Sequence, residues 1–383
     1  MTNARRTETF TESVIRGMSR LAATHGAINL AQGFPDFPMP DAMKAAAAHA
    51  IATDINQYAI TWGAAKLREA IAAKYERRHR MHVDPEREIT VTCGATEAAA
   101  SVFLALLNPG DEVLIFEPFY ENYGPDAVLS GAVPVFVPLT PPHWHFDADA
   151  LARAITPRTR ALVLNSPHNP TGHVFSADEL ARIAALAIQH NFIVITDDPY
   201  EYILFSGRHI PIATLPGMRE RTVTISSLSK TFTCTGWRLG YAIAPAEATD
   251  AIRKVHDFLT VGAPAPLQDA AAVGYGFADD YYHELAEGYR TRRAFLGEAL
   301  RQAGFRFAEP DGAYFFFADF TALSNLDDVA FATWLTEKIG VATVPGSSFY
   351  RPGSADGKRY VRFAFCKKQQ TLEAAVERLR RLS

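Results

Sequence analysis

In "ISSLSKTFTCTGWRLGY", Ile225 to Tyr241, a single lysine, Lys230, stands among six hydroxyl side chains, and Arg238 follows eight positions later. An amine held among small side chains and away from water gives up its charge more readily, and the neutral amine attacks carbonyl carbon. Lysines of this kind form Schiff bases with carbonyl compounds, pyridoxal phosphate among them. Arg238 presents a planar fork suited to a phosphate or a carboxylate, and Ser227 can donate to the same anion. Taken alone, Lys230 has a plainer explanation, a surface lysine paired with an acid, because lysines are seldom buried.

A pyridoxal cofactor makes further demands, and other stretches meet them. Its ring nitrogen needs an anion: "FIVITDDPYEYILF" carries Asp197 and Asp198 at the end of an apolar run, with Tyr200 placed to donate to the ring oxygen. Its phosphate needs free N–H groups: "VTCGATEAAASVF" reads as strand, glycine turn and helix start, so Ala95 and Thr96 open a helix whose dipole favours an anion. Its ring needs a wall, and "EPFYENY" offers Phe119 and Tyr120. Asn165 in "LNSPHNPTG" stands at a strand end where its amide can hold the ring oxygen. Arg362, between Val361 and Phe363 in "KRYVRFAFC", faces inward if that run is a strand; a buried arginine needs an anion, and a substrate carboxylate serves. Each signal has a bland alternative: a turn residue for Asn165, a cap for the aspartates, a structural ion pair for Arg362.

The elements that would position these residues are legible. "EITVT", "DEVLIFEP", "VPVFVPL", "RALVLNSP", "FIVITDD", "TVTISS" and "GYAIAP" read as strands. Helical patterns fall between them, among them "SADELARIAALAIQHN" with a capping box of Ser176 and Glu179. Asp41 is an N-cap candidate for "DAMKAAAAHAIA". Strands interleaved with helices predict an α/β fold with a largely parallel, covered sheet. After about Gly276 the pattern changes to a long helix, two strands and a closing helix, a smaller α+β unit. The expected division is an N-terminal segment, 1–40, packing with the small domain, a large domain over 41–276 and a small domain over 277–383.

The order and spacing of these pieces resemble the class I/II aminotransferases of the fold type I pyridoxal-phosphate family, from "INLAQGFPDFP" to "VRFAFCKKQQTLEAAVERL". The most specific element is Ser-Leu-Ser-Lys followed after seven residues by Arg238 in "TGWRLG". The resemblance implies a large domain with a mostly parallel seven-stranded sheet between helices, and pyridoxal 5'-phosphate as cofactor. It implies Lys230 as the Schiff-base lysine and proton shuttle, Asp197 as partner of the pyridine nitrogen, and Tyr200 and Asn165 at the ring oxygen. Ser227, Arg238, Ala95 and Thr96 would hold the phosphate and Tyr120 would stack on the ring. Tyr58 would reach the other subunit's phosphate in a homodimer. Arg362, with Asn165 and the backbone of Gly33, would bind the substrate carboxylate.

The wording is similar to the kynurenine, glutamine–phenylpyruvate and methionine aminotransferase group. The implied reaction moves the α-amino group of an L-amino acid with a bulky, apolar or amide side chain to a 2-oxo acid by a ping-pong route. A β-lyase acting on cysteine S-conjugates would use the same residues. The group's aromatic pocket residues have Ile15 and the stretch 260–266 in their place here. A net charge of −4 argues against a nucleic-acid partner, and no apolar run is long enough for a membrane span. Cys93, Cys234 and Cys366 are too scattered for a disulfide framework or a CxxC metal site. The expectation is a cytoplasmic protein with no bound metal.

Overall fold

The computed structural model describes residues 4–8 and 10–382. Its strands, in chain order, are β1 (Ile28–Asn29), β2 (Ile89–Thr92), β3 (Glu112–Glu117), β4 (Val133–Thr140), β5 (His145–Phe146), β6 (Thr159–Asn165), β7 (Ile193–Asp197), β8 (Thr222–Ser227), β9 (Gly240–Ile243), β10 (Phe315–Asp319), β11 (Val341–Ala342), β12 (Val344–Pro345) and β13 (Tyr360–Ala364). Eight of them form the main sheet in the order β2-β9-β8-β7-β6-β3-β4-β5. The pairs β4–β3, β3–β6, β6–β7 and β7–β8 are parallel, and β9 runs against both its neighbours. The seven strands expected are present, and β5 adds a two-residue eighth by hairpin pairing with the end of β4.

The central strands are apolar on both sides because helices cover both faces. Alternate residues divide cleanly: Leu114, Phe116, Leu162, Leu164 and Val194 enter one core, while Val113, Ile115, Ala161, Val163 and Ile195 enter another. The second core is closed by the helices Ala95–Leu106 and Ala246–Thr260. The capping box of Ser176 and Glu179 is formed. The N-cap position before Asp41 is instead held by Pro40, and Asp41 is the first helical residue, bonded to Lys44 at 2.7 Å. The reason is local: proline's fixed φ suits the helix approach, so the aspartate begins one residue later and pairs one turn on.

Beyond the main sheet, β10, β13 and β12 form a three-stranded antiparallel sheet. The N-terminal β1 pairs in parallel with β11, Ile28 opposite Val341. The long helix Asp279–Gln302 joins the two regions, with Tyr282 in a core beneath the main sheet and Leu296 and Leu300 in the core around β10 and β13. Among the described residues no helix is long and apolar enough to cross a membrane.

Candidate active site

Parallel strands pointing one way bring their C-terminal ends into one crevice, where open α/β sheets place their ligands. Here Asn165 and Asp197 are paired at the last rungs of β6 and β7, and Asp197 is opposite Ile225 of β8, two residues before Ser227. A cleft of about 170 Å³ opens above them and is closed from the far side by Phe315, Arg362 and residues 13–33.

Lys230 lies in the turn after β8, and its Nζ donates to the Gly33 carbonyl at 3.0 Å, which also accepts from the Tyr314 hydroxyl at 2.8 Å. Burial, helped by the positive charges of Arg362 and Arg238, brings its amine down to about 8. Opposite it, the Asp197 Oδ2 accepts the Tyr123 hydroxyl at 2.7 Å, while Oδ1 is buried with no partner. Burial raises the Asp197 carboxyl to about 6, against the lowering pull of Tyr123 and Lys230. An orphaned carboxylate oxygen in a dry cleft is costly unless a donor arrives. A protonated ring nitrogen is such a donor.

The phosphate end is built by close approach. Gly94 precedes the helix Ala95–Leu106 with φ of 84°, and a Cβ there would stand 2.4 Å from Nη2 of Arg238. Gly240 is equally constrained, since its Cβ would stand 2.4 Å from the Ala95 nitrogen. Arg238 itself takes a left-handed backbone, φ 52°, with Nη1 donating to the Thr235 carbonyl at 3.0 Å. Its guanidinium, the first N–H groups of the helix and Ser227 therefore face one space, suited to a phosphate. Glycine, rather than any larger residue, makes room for that guanidinium.

Arg362 faces inward, as its alternation on β13 predicts, and is 1% exposed. Nη1 donates to Asn169 Oδ1 and Nη2 to the Ala31 carbonyl, both at 2.8 Å, while Nε is buried without a partner. The guanidinium lies 4.3 Å from the Phe315 ring centroid, and no carboxylate pairs with it among the described residues. A buried, half-satisfied arginine beside an open cleft can take a carboxylate.

The structure separates the expected residues into those that meet and those that do not. Gly33, Ala95, Thr96, Tyr120, Asn165, Asp197, Tyr200, Ser227, Lys230, Arg238 and Arg362 all line the cleft. Phe119 does not; it stacks on Phe136 at 5.1 Å in the core. Tyr58 is 85% exposed and away from the cleft of its own chain, as is the stretch 260–266. Asn165 is in place, with one bond made at each amide atom: Nδ2 donates to the Asp197 carbonyl at 2.6 Å and Oδ1 accepts the Asn169 N–H at 2.7 Å. Its side chain thus ties two strand ends together. Asn169, four residues on in the same motif, lines the cleft as well and accepts from Arg362. Tyr123, Ser229 and Thr235 also belong to the lining. For Tyr123 the only sequence signal was its place in "EPFYENY", one helical turn past Tyr120.

Orphaned donor and acceptor, phosphate cradle and buried amine fit one cofactor, and the fold and site together define a fold type I pyridoxal-phosphate enzyme. The chain belongs to the aminotransferase class I and II family, whose model matches residues 25–379. It is 46% identical, over 97% of its length and 96% of the relative's, to a probable N-succinyldiaminopimelate aminotransferase of Mycobacterium tuberculosis. It is 42% identical to the methionine aminotransferase of Escherichia coli, over 97% of this chain and 96% of that one. Human kynurenine–oxoglutarate transaminase 1 is 36% identical, with 94% of each chain covered. The solved Mycobacterium tuberculosis N-succinyldiaminopimelate aminotransferase superposes with a TM-score of 0.97 at 45% identity, covering 100% of both chains. The protein is an aminotransferase, and its cofactor is pyridoxal phosphate. These relatives are all named as aminotransferases, so the β-lyase alternative is not favoured.

Proposed function

We propose that the enzyme moves the α-amino group of an L-amino acid with a bulky, apolar or amide side chain to a 2-oxo acid by a ping-pong route. The observation that carries this reading is the half-buried Lys230 amine, lowered to about 8, on the cleft wall that it shares with Asp197 and Arg362. Pyridoxal phosphate, when bound, supplies the electron sink that stabilises negative charge at the substrate's Cα. The chain's residues do the rest. Arg362 holds the substrate carboxylate and so aims the Cα hydrogen. Lys230 would take that proton as a base and give it back as an acid; a pKa close to the working pH suits both roles. Asp197 Oδ1 would accept the pyridine N–H, and the Tyr123 hydroxyl favours the ionised form of Asp197. Asn169 and Tyr200 serve the ring oxygen, with Asn165 positioning Asn169. Ser227, Arg238 and the N–H groups of Ala95 and Thr96 hold the phosphate, and Tyr120 covers the ring.

The substrate class is supported by the names of the methionine and kynurenine relatives and by Ile15 and Phe315 on the wall. A homodimer in which Tyr58 reaches the partner's phosphate is supported by that tyrosine's exposure. The division at about 40 and 276 is supported by the pairing of β1 with β11 and by the separate three-stranded sheet of β10, β13 and β12. The cytoplasm is proposed as its compartment, since all three cysteines are free.

The test is a half-reaction screen. Holoenzyme is mixed with single amino acids, methionine, phenylalanine, glutamine, kynurenine and N-succinyldiaminopimelate among them, and the cofactor's visible band is followed. One or more of the bulky substrates should bleach the band, and a 2-oxo acid should restore it. Lys230→Ala should slow the bleaching by on the order of 10²–10⁴-fold. Bleaching by small amino acids, aspartate or glutamate alone would overturn the substrate class, and unaltered bleaching in Lys230→Ala would overturn the assignment of the base.

A further inference from the structure

Away from the cleft, at the β5 edge of the main sheet, three chain segments bring two imidazoles and a carboxylate together. His145 lies on β5, His173 in the loop after β6, and Glu179 in the first turn of the helix Ala177–His190. His145 Nδ1 stands 3.0 Å from Glu179 Oε1, and His173 Nε2 stands 3.1 Å from the same oxygen. The two rings meet edge to face, centroids 5.0 Å apart, and all three ligand atoms fall within 4.8 Å of one another. None of the three lines the active-site cleft.

We propose that His145, His173 and Glu179 form a binding site for a divalent late first-row transition cation, with Zn²⁺ as the probe. Zinc holds imidazole nitrogen at about 2.0–2.1 Å and carboxylate oxygen at about 2.0–2.2 Å, so its tetrahedral ligands sit a little over 3 Å apart. The two nitrogen–oxygen separations already have that scale. Two imidazoles and one carboxylate suit zinc, nickel and copper rather than magnesium or calcium. Glu179 is fixed from outside: Ser176 donates to its Oε2 through both N–H and hydroxyl, at 2.8 and 2.9 Å, which leaves Oε1 for the cation. His173 is buried, while the His145 side chain is 62% exposed, so solvent can enter and fill a remaining position. His143, its ring 6.3 Å from that of His145, is a further donor near the open side. The positive end of the Ala177–His190 helix opposes a cation, and its acidic first turn, Asp178 and Glu179, offsets this.

Binding would clamp the loop that carries Asn169 to the sheet edge. That loop is already closed by His168 N–H to the His173 carbonyl and Gly172 N–H to the His168 carbonyl, both 2.8 Å.

The experiment uses tag-free holoenzyme stripped with chelator, dialysed against ZnCl₂ and assayed for retained metal and melting temperature. The wild type should retain one Zn²⁺ per chain and melt roughly 2–4 °C higher with zinc in excess. His145→Ala should lose both effects while its cofactor band and its zinc-free melting stay unchanged. His145→Phe keeps a ring at the packing position without a ligand atom, and should behave likewise. No retained zinc in the wild type would overturn the proposal, leaving Glu179 as a hydrogen-bond acceptor between two histidines. Retention by both variants equal to the wild type would overturn it as well, by showing that the metal binds elsewhere.

Discussion

At the scale of single residues, the two oxygens of Asp197 do different work. Oδ2 is held by Tyr123, and Oδ1 is buried without a partner, free for the ring nitrogen proposed above. Burial raises this carboxyl to about 6, and the Tyr123 hydroxyl pulls in the opposite direction. Asp197 must be ionised to accept the ring proton, so activity is supported above its pKa and lost as pH falls through it. Removing the hydroxyl in Tyr123→Phe raises that pKa. The acid limb of kcat/KM should therefore move to higher pH, by about one unit for a hydrogen bond worth roughly 1–1.5 kcal/mol. Activity should fall more at pH 6 than at pH 8, and a superimposable pH profile would show that Tyr123 does not tune Asp197. Asp197 was legible as a charge at the end of an apolar strand, Arg362 by its alternation within one, and Lys230 by its hydroxyl neighbours and the motif order shared with the family. Asn169 was not, because choosing between it and Asn165 needs the direction of the loop.

At the scale of elements, the phosphate end depends on a strand, a turn and a helix meeting with no room to spare. Gly94 supports this with a left-handed backbone and with the absence of a side chain beside Arg238. Gly94→Ala adds backbone strain and displaces that guanidinium. Cofactor affinity should weaken by about 1–3 kcal/mol, roughly 5- to 150-fold, with the far-ultraviolet circular dichroism unchanged. Titrating the apoprotein with pyridoxal phosphate measures it, and wild-type affinity would refute the cradle. The turn could be read from "TCGAT", since glycine before a helix start is a familiar pattern. The collision could not, because Arg238 approaches from a turn after β8 that is remote in sequence.

At the scale of the whole molecule, one apolar surface stays uncovered. Phe258 is 92% exposed and Tyr58 85%, with Ile60, Leu259 and Val261 also exposed. They belong to one region, since His256 bonds the Thr61 carbonyl at 2.8 Å and Arg253 lies 4.8 Å from the Trp62 ring centroid. Large exposed apolar patches mark association surfaces. If a second copy covers this face, Phe258→Asp should shift the protein from dimer to monomer in sedimentation velocity. Cofactor retention should fall with it, because Tyr58 would no longer reach a partner's phosphate. A variant that sediments like the wild type would refute this use of the face.

The sequence by itself determined the alternation of strands and helices, the crevice at the strand ends, and the identity of the lysine, aspartate and arginines that meet there. The elements follow from local hydrophobic period, and the residue identities from charged side chains in or after those runs standing in the family's order. Tertiary structure decided the rest. It chose Ser227, Ser229 and Thr235 among the six hydroxyls to line the cleft. It half-buried Lys230 in the cleft wall, where lost solvation lowers its amine to about 8. It brought Arg362 to Asn169 across 193 residues of chain. Each of these depends on contacts between segments distant in sequence, and no local pattern encodes how such segments face one another.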